Sequence, residues 1–485
     1  MITALLLFFP IFGSLLLLLL KGESVRKIGL LFVLIEFAIS LAAAIRFVPE
    51  NGTQFLLDLP WIPAYGIHLK AGMDGISLLL VLLTTTLVPL IILSTFQRNF
   101  KNPNAFYALI LFMQAGLIGV FVALDGFLFY VSWEAALIPI YFISAIWGDE
   151  NRVNVTFKFF VYTIFGSLLM LIAIIYLYLQ TPGNHTYDLQ AFYNLTLSNS
   201  QQTFVFWAFL IAFAIKMPLF PLHTWQPDTY TSAPAAGTML LSGIMLKMGI
   251  YGAIRWLMPI SPLAWHDNFY IIIDVCILGV VYGSLIAMVQ NDMKRLVAYS
   301  SLGHVGLIAA GAFSGNLNGM QGAMIQMISH GINVIGMFFI IDIIEQRTGS
   351  RFLRDLGGIA SKAPKLVICF MIILLGTVAL PLTNGFIGEF LLLKSVNDIN
   401  IWYGAIAGLT IILGAVYMFR MFQKSMLGES NTLTETITDL RWNEQIVLYS
   451  IVFLIITIGI FPQPILEVSK FASANLLDLI NSRAY

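Results

Sequence analysis

Runs of about 18–25 apolar residues recur from one end of this chain of 485 residues to the other. Each run is long enough to cross a hydrocarbon layer ~30 Å thick as a helix. Apolar residues make up 59% of the chain and charged residues 10%, whereas about a quarter of a soluble protein is charged. The sequence therefore predicts an all-α polytopic membrane protein. Its net charge of zero gives no indication of a nucleic-acid partner.

Fourteen apolar segments are predicted as membrane helices. Their approximate bounds are 2–20, 28–47, 74–96, 106–124, 126–147, 154–180, 204–225, 232–258, 268–290, 296–314, 319–343, 364–396, 399–424 and 444–466. Helices 7 and 12 are long and contain proline, which removes a backbone donor and breaks a helix. The first run lacks a basic segment ahead of it, so we expect a retained helix rather than a signal peptide. The C-terminal stretch FASANLLDLINSRAY is mildly amphipathic and predicts a short surface helix.

Lysine and arginine are distributed unevenly between the two predicted faces of the membrane. The loops after odd-numbered helices, with one adjoining helix end, hold seventeen of the 25 basic residues, and the opposite face holds six. The remaining two are lysines inside predicted helices. Because basic loops remain on the cytoplasmic side, this distribution predicts that both termini are periplasmic in a bacterial inner membrane.

Four ionisable residues lie near the middle of apolar segments: Glu134, Lys216, Lys247 and Glu389. A charge at the bilayer centre costs roughly 2.5–3.5 kcal/mol even on insertion scales. Such residues persist when they pair with each other, face water or carry ions. Two acids and two bases at this depth therefore indicate a path for charge. The structural alternative is a static ion pair that joins Glu134 and Lys216.

Two histidines in consecutive predicted helices extend this set. His304 in YSSLGHVG and His330 in MIQMISHGINV lie among serines and an asparagine. A lone helical histidine is usually a packing residue, but two in this setting favour a polar route, because histidine relays protons near neutral pH. We predict no metal site, since no carboxylate or thiol accompanies them at ligand spacing. Cys276 and Cys369 are far apart in apolar stretches, which argues against an iron–sulfur cluster in this chain.

Broken helices and buried polar residues recur at a nearly constant offset. Lys216 and Glu389, each close to a proline, are 173 residues apart, and Glu134 and His304 are 170 apart. A five-helix unit repeated once in inverted orientation would produce both offsets, and inverted repeats with broken helices are typical of transporters. We therefore predict four segments: 1–105 with three helices, 106–258 with helices 4–8, 268–424 with helices 9–13, and 444–485 with the last helix and a surface tail.

Several stretches resemble the antiporter-like subunits of respiratory complex I. They are AFAIKMPLFPLHTWQPDTYTSAPAAGTMLLSGIMLKMGIYG, WEAALIPIYFISAIWG, DMKRLVAYSSLGHVG and QMISHGINVIGMFF. The similarity extends over essentially the whole chain. Glu389 in GFIGEF stands where the other such subunits generally carry a lysine, and the ending GIFPQPILE fits the same one of the three subunit types.

The resemblance implies a proton path of six residues, Glu134, Lys216, Lys247, His304, His330 and Glu389. The first glutamate would modulate the lysine of helix 7, which is loaded with a proton. The lysine of helix 8 and the two histidines would carry the proton onward. The glutamate of helix 12 would pass it toward the periplasm.

The resemblance also implies partners. NADH, FMN, iron–sulfur clusters and quinone would be bound by other subunits, with no cofactor in this chain, and two further antiporter-like subunits and membrane lipid would contact it. One rival function is that of a multisubunit cation/proton antiporter, which shares the motifs of helices 5 and 7. Another is a structural spacer whose charges only join helices, and a hydrogenase-type complex is a minor possibility.

Overall fold

The computed structural model describes residues 1–22 and 24–484, most of them in helices. The helices are α1 (Ile2–Leu19), α2 (Ser24–Arg46), α3 (Gly75–Ser94), α4 (Pro103–Val122), α5 (Gly126–Trp147), α6 (Arg152–Gln180), α7 (Leu189–Tyr193), α8 (Asn199–Lys216), α9 (Trp225–Ser232), α10 (Ala235–Leu240), α11 (Lys247–Gly252), α12 (Met258–Ile260), α13 (Pro262–Asp267), α14 (Phe269–Val289), α15 (Met293–Phe313), α16 (Leu317–Thr348), α17 (Pro364–Thr377), α18 (Asn384–Ile399), α19 (Ile401–Met426), α20 (Trp442–Ile460) and α21 (Gln463–Ala484). Two strands, β1 (Gln54–Ile62) and β2 (Ile67–Met73), pair antiparallel. Two π-helical turns, Leu241–Met245 and Ala253–Leu257, join α10, α11 and α12 into one continuous span.

All fourteen predicted segments are helical in the described part of the chain. Twelve helical stretches there are individually long and apolar enough to cross a membrane. The two remaining segments are the proline-broken ones, where α8 is followed by α9 and α17 by α18. The prediction of an all-α polytopic membrane protein is therefore confirmed. The count of fourteen crossings and the inverted repeat remain predictions.

The first helix break follows from the sequence around Pro218 and Pro221. Helix α8 ends at Lys216, and residues 217–224 form turns before α9 begins. Proline cannot donate a backbone hydrogen bond, so carbonyl groups of the preceding turn need other partners. Trp225 supplies one, because its Nε1 donates to the carbonyl oxygen of Ile215 at 3.0 Å. The break is therefore satisfied inside the protein, which non-helical backbone at this depth requires.

The second break separates α17 from α18 around Pro381. Ala379 and Leu382 both have positive φ, 56° and 72°, a region that L-residues adopt rarely. Two hydrogen bonds to α16 hold the start of α18: Ser329 Oγ donates to Asn384 O at 2.8 Å, and Asn384 Nδ2 donates to Ser329 O at 3.4 Å. The break is thus fixed against the longest buried helix of the bundle.

Contacts between loops show which loops lie on the same face of the bundle. The loops predicted on the basic face meet each other: Arg351 contacts Asp149 at 3.1 Å and Asp292 at 2.8 Å, and Arg295 contacts Asp228 at 3.0 Å. On the opposite face, Ala71 pairs with Ala123 and Asp125 with Asp188 through isolated β-bridges. Loops after odd-numbered and after even-numbered predicted helices therefore gather on different faces, as alternate crossings require.

Aspartates begin three of the central helices. Asp74, Asp125 and Asp292 accept hydrogen bonds from the first free backbone N–H groups of α3, α5 and α15. Burial raises the pKa of Asp125 to about 6, although the backbone N–H groups that it accepts oppose this shift.

Two elements on the face opposite the basic loops differ from expectation. The β1–β2 hairpin between α2 and α3 had no counterpart among the predictions. The predicted short C-terminal surface helix is instead the 22-residue α21, whose Leu476, Leu477 and Ile480 are buried. It packs against α3 and α16. Tyr485, at the end of the predicted amphipathic stretch, lies outside the described residues.

Candidate functional site

The six residues predicted from the sequence lie on six different helices. Glu134 is on α5, Lys216 ends α8, Lys247 begins α11, His304 is on α15, His330 is on α16 and Glu389 is on α18. The side chain of Glu134 is half-buried and the other five are buried. The helices that carry the last four pack against one another in the centre. The structure divides the set into a connected group and a separated pair.

Lys247 and His330 form the first link of the connected group. Lys247 is 0% exposed, and its Nζ donates to the carbonyl oxygen of Ser242 at 2.7 Å. The same Nζ lies 3.0 Å from His330 Nδ1. On the far side of the ring, His330 Nε2 lies 3.0 Å from Ser301 Oγ. The imidazole therefore has polar contacts at both nitrogens, as a proton relay requires.

His304 and Glu389 form the second link. His304 Nδ1 is 2.9 Å from Glu389 Oε1, and both side chains are almost wholly buried. Gln326 Nε2 also donates to Glu389 Oε1, at 3.4 Å. The rings of His304 and His330 are 6.1 Å apart between centroids. One water molecule between the two rings would complete a route from Lys247 to Glu389.

A small internal cavity lies where that water is needed. Its walls include Ser300, Ser301, His304, Gln326, His330 and Asn333. It has space for one water molecule, and the polar side chains on its walls offer the two to four partners that an ordered water needs. The cavity thus joins the Lys247–His330 link to the His304–Glu389 link.

The backbone around Lys247 explains how a lysine fits there. A π-helical turn, Leu241–Met245, precedes it, and such wide turns occur often at functional sites. The carbonyl oxygen that binds Lys247 Nζ belongs to this turn. Gly249 lies so close to the end of α8 that a Cβ atom there would be 2.7 Å from Met217 N. The spans that carry Lys247 and Lys216 are therefore in direct contact at the break.

Glu134 and Lys216 form the separated pair. Neither Lys216 Nζ nor Glu134 Oε1 has a hydrogen-bond partner among the described residues, although both atoms are buried. Lys216 Nζ instead lies 5.2 Å from the centre of the Trp133 ring, within range of a cation–π contact. The carboxylate of Glu134 therefore makes no hydrogen bond to Lys216 Nζ. The static ion pair considered from the sequence is therefore not formed within this part of the chain.

Sequence reasoning missed several buried charges. Glu36 on α2 is 1% exposed beside Gln114 of α4, and Asp74 forms a buried ion pair with Arg255. Glu36 could have been noticed as a single acid in an apolar run. The Arg255 ion pair was hidden because Arg255 stands near the end of the predicted helix 232–258, where it was counted with the basic residues of the opposite membrane face. Its burial between α3 and the second π turn depends on tertiary packing.

A larger cavity, of about 280 Å³, opens on the basic face. Its walls include Arg98, Asp149, Lys294, Asp342 and Glu345. Lys294 Nζ is 3.0 Å from Glu345 Oε2, and Arg98 forms an ion pair with Asp342. Lys294 lies at the start of α15 and Asp342 toward the end of α16, the two helices that carry His304 and His330.

No group of three or more His, Cys, Asp or Glu side chains in residues 1–22 and 24–484 is arranged to hold a metal ion. Cys276 and Cys369 are free and buried, in α14 and α17.

Comparisons with known proteins identify the family of this chain. Residues 123–414 match the family described as NADH:quinone oxidoreductase/Mrp antiporter, transmembrane. The NADH-quinone oxidoreductase subunit M of Rickettsia typhi is 36% identical over 98% of this chain and 98% of its own length. A chain of respiratory complex I from Thermus thermophilus with bound NADH has a TM-score of 0.89 and 30% identity, over 98% of this chain and 100% of that one.

A third likeness concerns the fold alone. A chain of the Mrp complex from Dietzia is 18% identical with a TM-score of 0.84, over 99% of this chain and 55% of that one. The full-length relatives carry more weight because their identity is higher and their lengths agree. The chain belongs to the NADH:quinone oxidoreductase/Mrp antiporter family of membrane subunits, within its NADH-quinone oxidoreductase subunit M group.

Proposed function

We propose that this chain moves protons across a membrane as one subunit of an NADH:quinone oxidoreductase. The observation that carries the proposal is the buried connected group Lys247–His330–His304–Glu389, with a cavity at its centre that has room for water. A purely structural set of charges would pair each acid with a base. Here two lysines at membrane depth lack any carboxylate at ion-pair distance among the described residues.

The roles follow from the contacts. Lys216 accepts a proton in an apolar setting where no fixed hydrogen bond holds it, so its charge can change. Glu134 biases that change through its own charge. Lys247 receives the proton, because its span touches the end of α8 at Gly249. His330 and His304 pass it through the central cavity.

Glu389 is the last carrier in this scheme. It accepts the proton from His304 at 2.9 Å, and Gln326 stabilises its charged form with a hydrogen bond. The basic loops lie in the cytoplasm and both termini in the periplasm, so the proton leaves on the periplasmic side of the inner membrane. The two breaks, with Lys216 and Glu389 near them, belong to two inverted five-helix repeats, 106–258 and 268–424.

Energy for transport comes from partner subunits. Moving one charge against 100 mV costs ~2.3 kcal/mol. A change of about fiftyfold in the proton affinity of one carrier supplies this amount, at ~1.4 kcal/mol per factor of ten. NADH oxidation, with FMN and iron–sulfur clusters, and quinone reduction take place in those partners. Two further antiporter-like subunits and membrane lipid border this chain.

The proposal is tested in inverted membrane vesicles from a strain that lacks this chain and from the same strain with the chain restored. NADH should acidify the vesicle interior only in the restored strain, and the acidification should disappear with a protonophore. Vesicles are then supplied with a sodium gradient and no NADH. Exchange of Na⁺ for H⁺ that depends on this chain would instead support the cation/proton antiporter, which the Mrp-related fold makes the second candidate.

A further inference from the structure

Beyond Glu389, one face of α18 continues toward the membrane surface opposite the basic loops. Glu389, Leu392 and Ser395 follow one another at three-residue spacing, so they share a face of the helix. All three side chains are buried. Helix α16 runs antiparallel along this face: Gln326 lies beside Glu389, and Cβ atoms built at Gly322 and Gly319 would contact Leu392 and Ser395.

Leu392 fills the space between Glu389 and Ser395. It is 0% exposed, and it fits only because glycines stand opposite it. A Cβ atom at Gly311 of α15 would lie 2.1 Å from Leu392 Cδ2, and one at Gly322 of α16 would lie 3.2 Å from Leu392 Cγ. The isobutyl group is therefore enclosed by two helix backbones at the level just outward of Glu389.

A polar cluster lies on the outward side of Leu392. Ser395 Oγ donates to Ser314 Oγ at 2.6 Å, and Asn316 Nδ2 donates to Ser395 O at 3.4 Å. Ser314 and Asn316 belong to the turn between α15 and α16, and Asn316 is half-exposed. Polar groups that can hold water thus reach from the surface to Ser395, and apolar Leu392 separates them from Glu389.

We propose that Leu392 is the outer gate of the proton path. With Leu392 in place, no water connects Glu389 to the cluster of Ser395, Ser314 and Asn316, because apolar constrictions exclude water. When α18 shifts and Leu392 leaves its seat between Gly311 and Gly322, water reaches Glu389. The protonated carboxyl of Glu389 then transfers its proton to that water and becomes a carboxylate. Leu392 is a positioning residue, since it controls water access and exchanges no proton.

This inference rests on the proposed function, and its test does not depend on pumping. Single cysteines are introduced as Gln326→Cys, level with Glu389, and Asn316→Cys, at the outer cluster. The complex is kept in right-side-out membrane vesicles and checked by native gel. A small charged thiol reagent that does not cross membranes is added outside. The parent chain, with its buried Cys276 and Cys369, gives the background.

Asn316→Cys should react whether or not Leu392 is present. With Leu392 in place, the thiol of Gln326→Cys should react with the reagent no faster than the background of the parent chain. When Leu392→Ala is added, its reaction rate should rise at least fivefold. Leu392→Met, which keeps the apolar volume, should restore protection. The matched control is Leu393→Ala, which truncates the neighbouring leucine on another face of α18. It should leave the protection of Gln326→Cys from the reagent unchanged.

Equal reaction of Gln326→Cys and Asn316→Cys with Leu392 in place would overturn the gate. An unreactive Gln326→Cys in the Leu392→Ala chain would overturn it as well. Failure of the proposed function would appear elsewhere, as absent NADH-driven acidification by the parent complex. The two failures are therefore distinguishable.

Discussion

The two halves of the candidate path hold their charges in different ways. Lys247 has two polar contacts, to Ser242 O and His330 Nδ1, whereas the Nζ of Lys216 has none within the described chain. A buried group with fixed hydrogen bonds is stabilised in one state, and a group without them responds to distant charges. In the proposed function, we therefore assign the role of switch to the Glu134–Lys216 half and the role of conductor to the Lys247–Glu389 half.

The largest effect is expected where the switch itself is removed. Lys216→Ala should abolish NADH-driven proton pumping while the complex still assembles, because it removes the proposed proton acceptor, whose Nζ has no hydrogen-bond partner among the described residues. Acidification of inverted vesicles gives the pumping rate, and a native gel gives the amount of complex. Lys362→Ala, on an exposed loop, is the matched control and should pump normally. Normal pumping by Lys216→Ala would show that Lys216 is not the switch.

Loss of Lys247 should be the next most severe change. Lys247→Ala leaves the carbonyl of Ser242 and one nitrogen of His330 without their partner. Pumping should fall about a hundredfold, the usual scale of a lost proton-transfer group. Lys247→Arg keeps a donor but releases its proton poorly, so it should remain slow although assembly is retained. Fast pumping by Lys247→Arg would show that only a positive charge is needed at this position. Lys247 would then not take up and release a proton during transport.

A smaller effect is expected at the second link. His304→Gln keeps a polar group beside Glu389 but cannot relay a proton, so pumping should fall roughly tenfold, or ~1.4 kcal/mol in the barrier. The matched control is His266→Gln, in the short helix α13 away from the path. If His304→Gln lost more of the pumping rate than Lys216→Ala, the assignment of the switch to the Glu134–Lys216 half would be wrong.

The sequence was sufficient for the parts of this arrangement that local patterns encode. Long apolar runs identify the membrane helices, and Pro218 and Pro381 mark the two breaks. A charged residue in an apolar run is conspicuous, so Glu134, Lys216, Lys247 and Glu389 could be singled out. Their connection could not, because the contact of Lys247 with His330 joins residues 83 positions apart.

Other features leave no local signal. The π turns around Lys247 arise from packing against α8 and α16, and nothing in their composition distinguishes them from α-helix. Leu392 is one leucine in the run FLLL, and only its packing against Gly311 and Gly322 distinguishes it from the neighbouring leucines. Pro60 lies in β1 and Pro63 lies between the two strands of the hairpin, and these prolines obscured its alternating pattern.

The most direct test of the switch is Glu134→Gln, which removes a charge and keeps the size of the side chain. NADH-driven acidification of inverted vesicles is measured, together with NADH oxidation by quinone and by an artificial acceptor. We expect loss of pumping and of quinone-linked oxidation, with oxidation by the artificial acceptor retained and the complex intact on a native gel. Unchanged pumping in an intact complex would contradict this expectation and would reduce Glu134 to a residue that only joins helices.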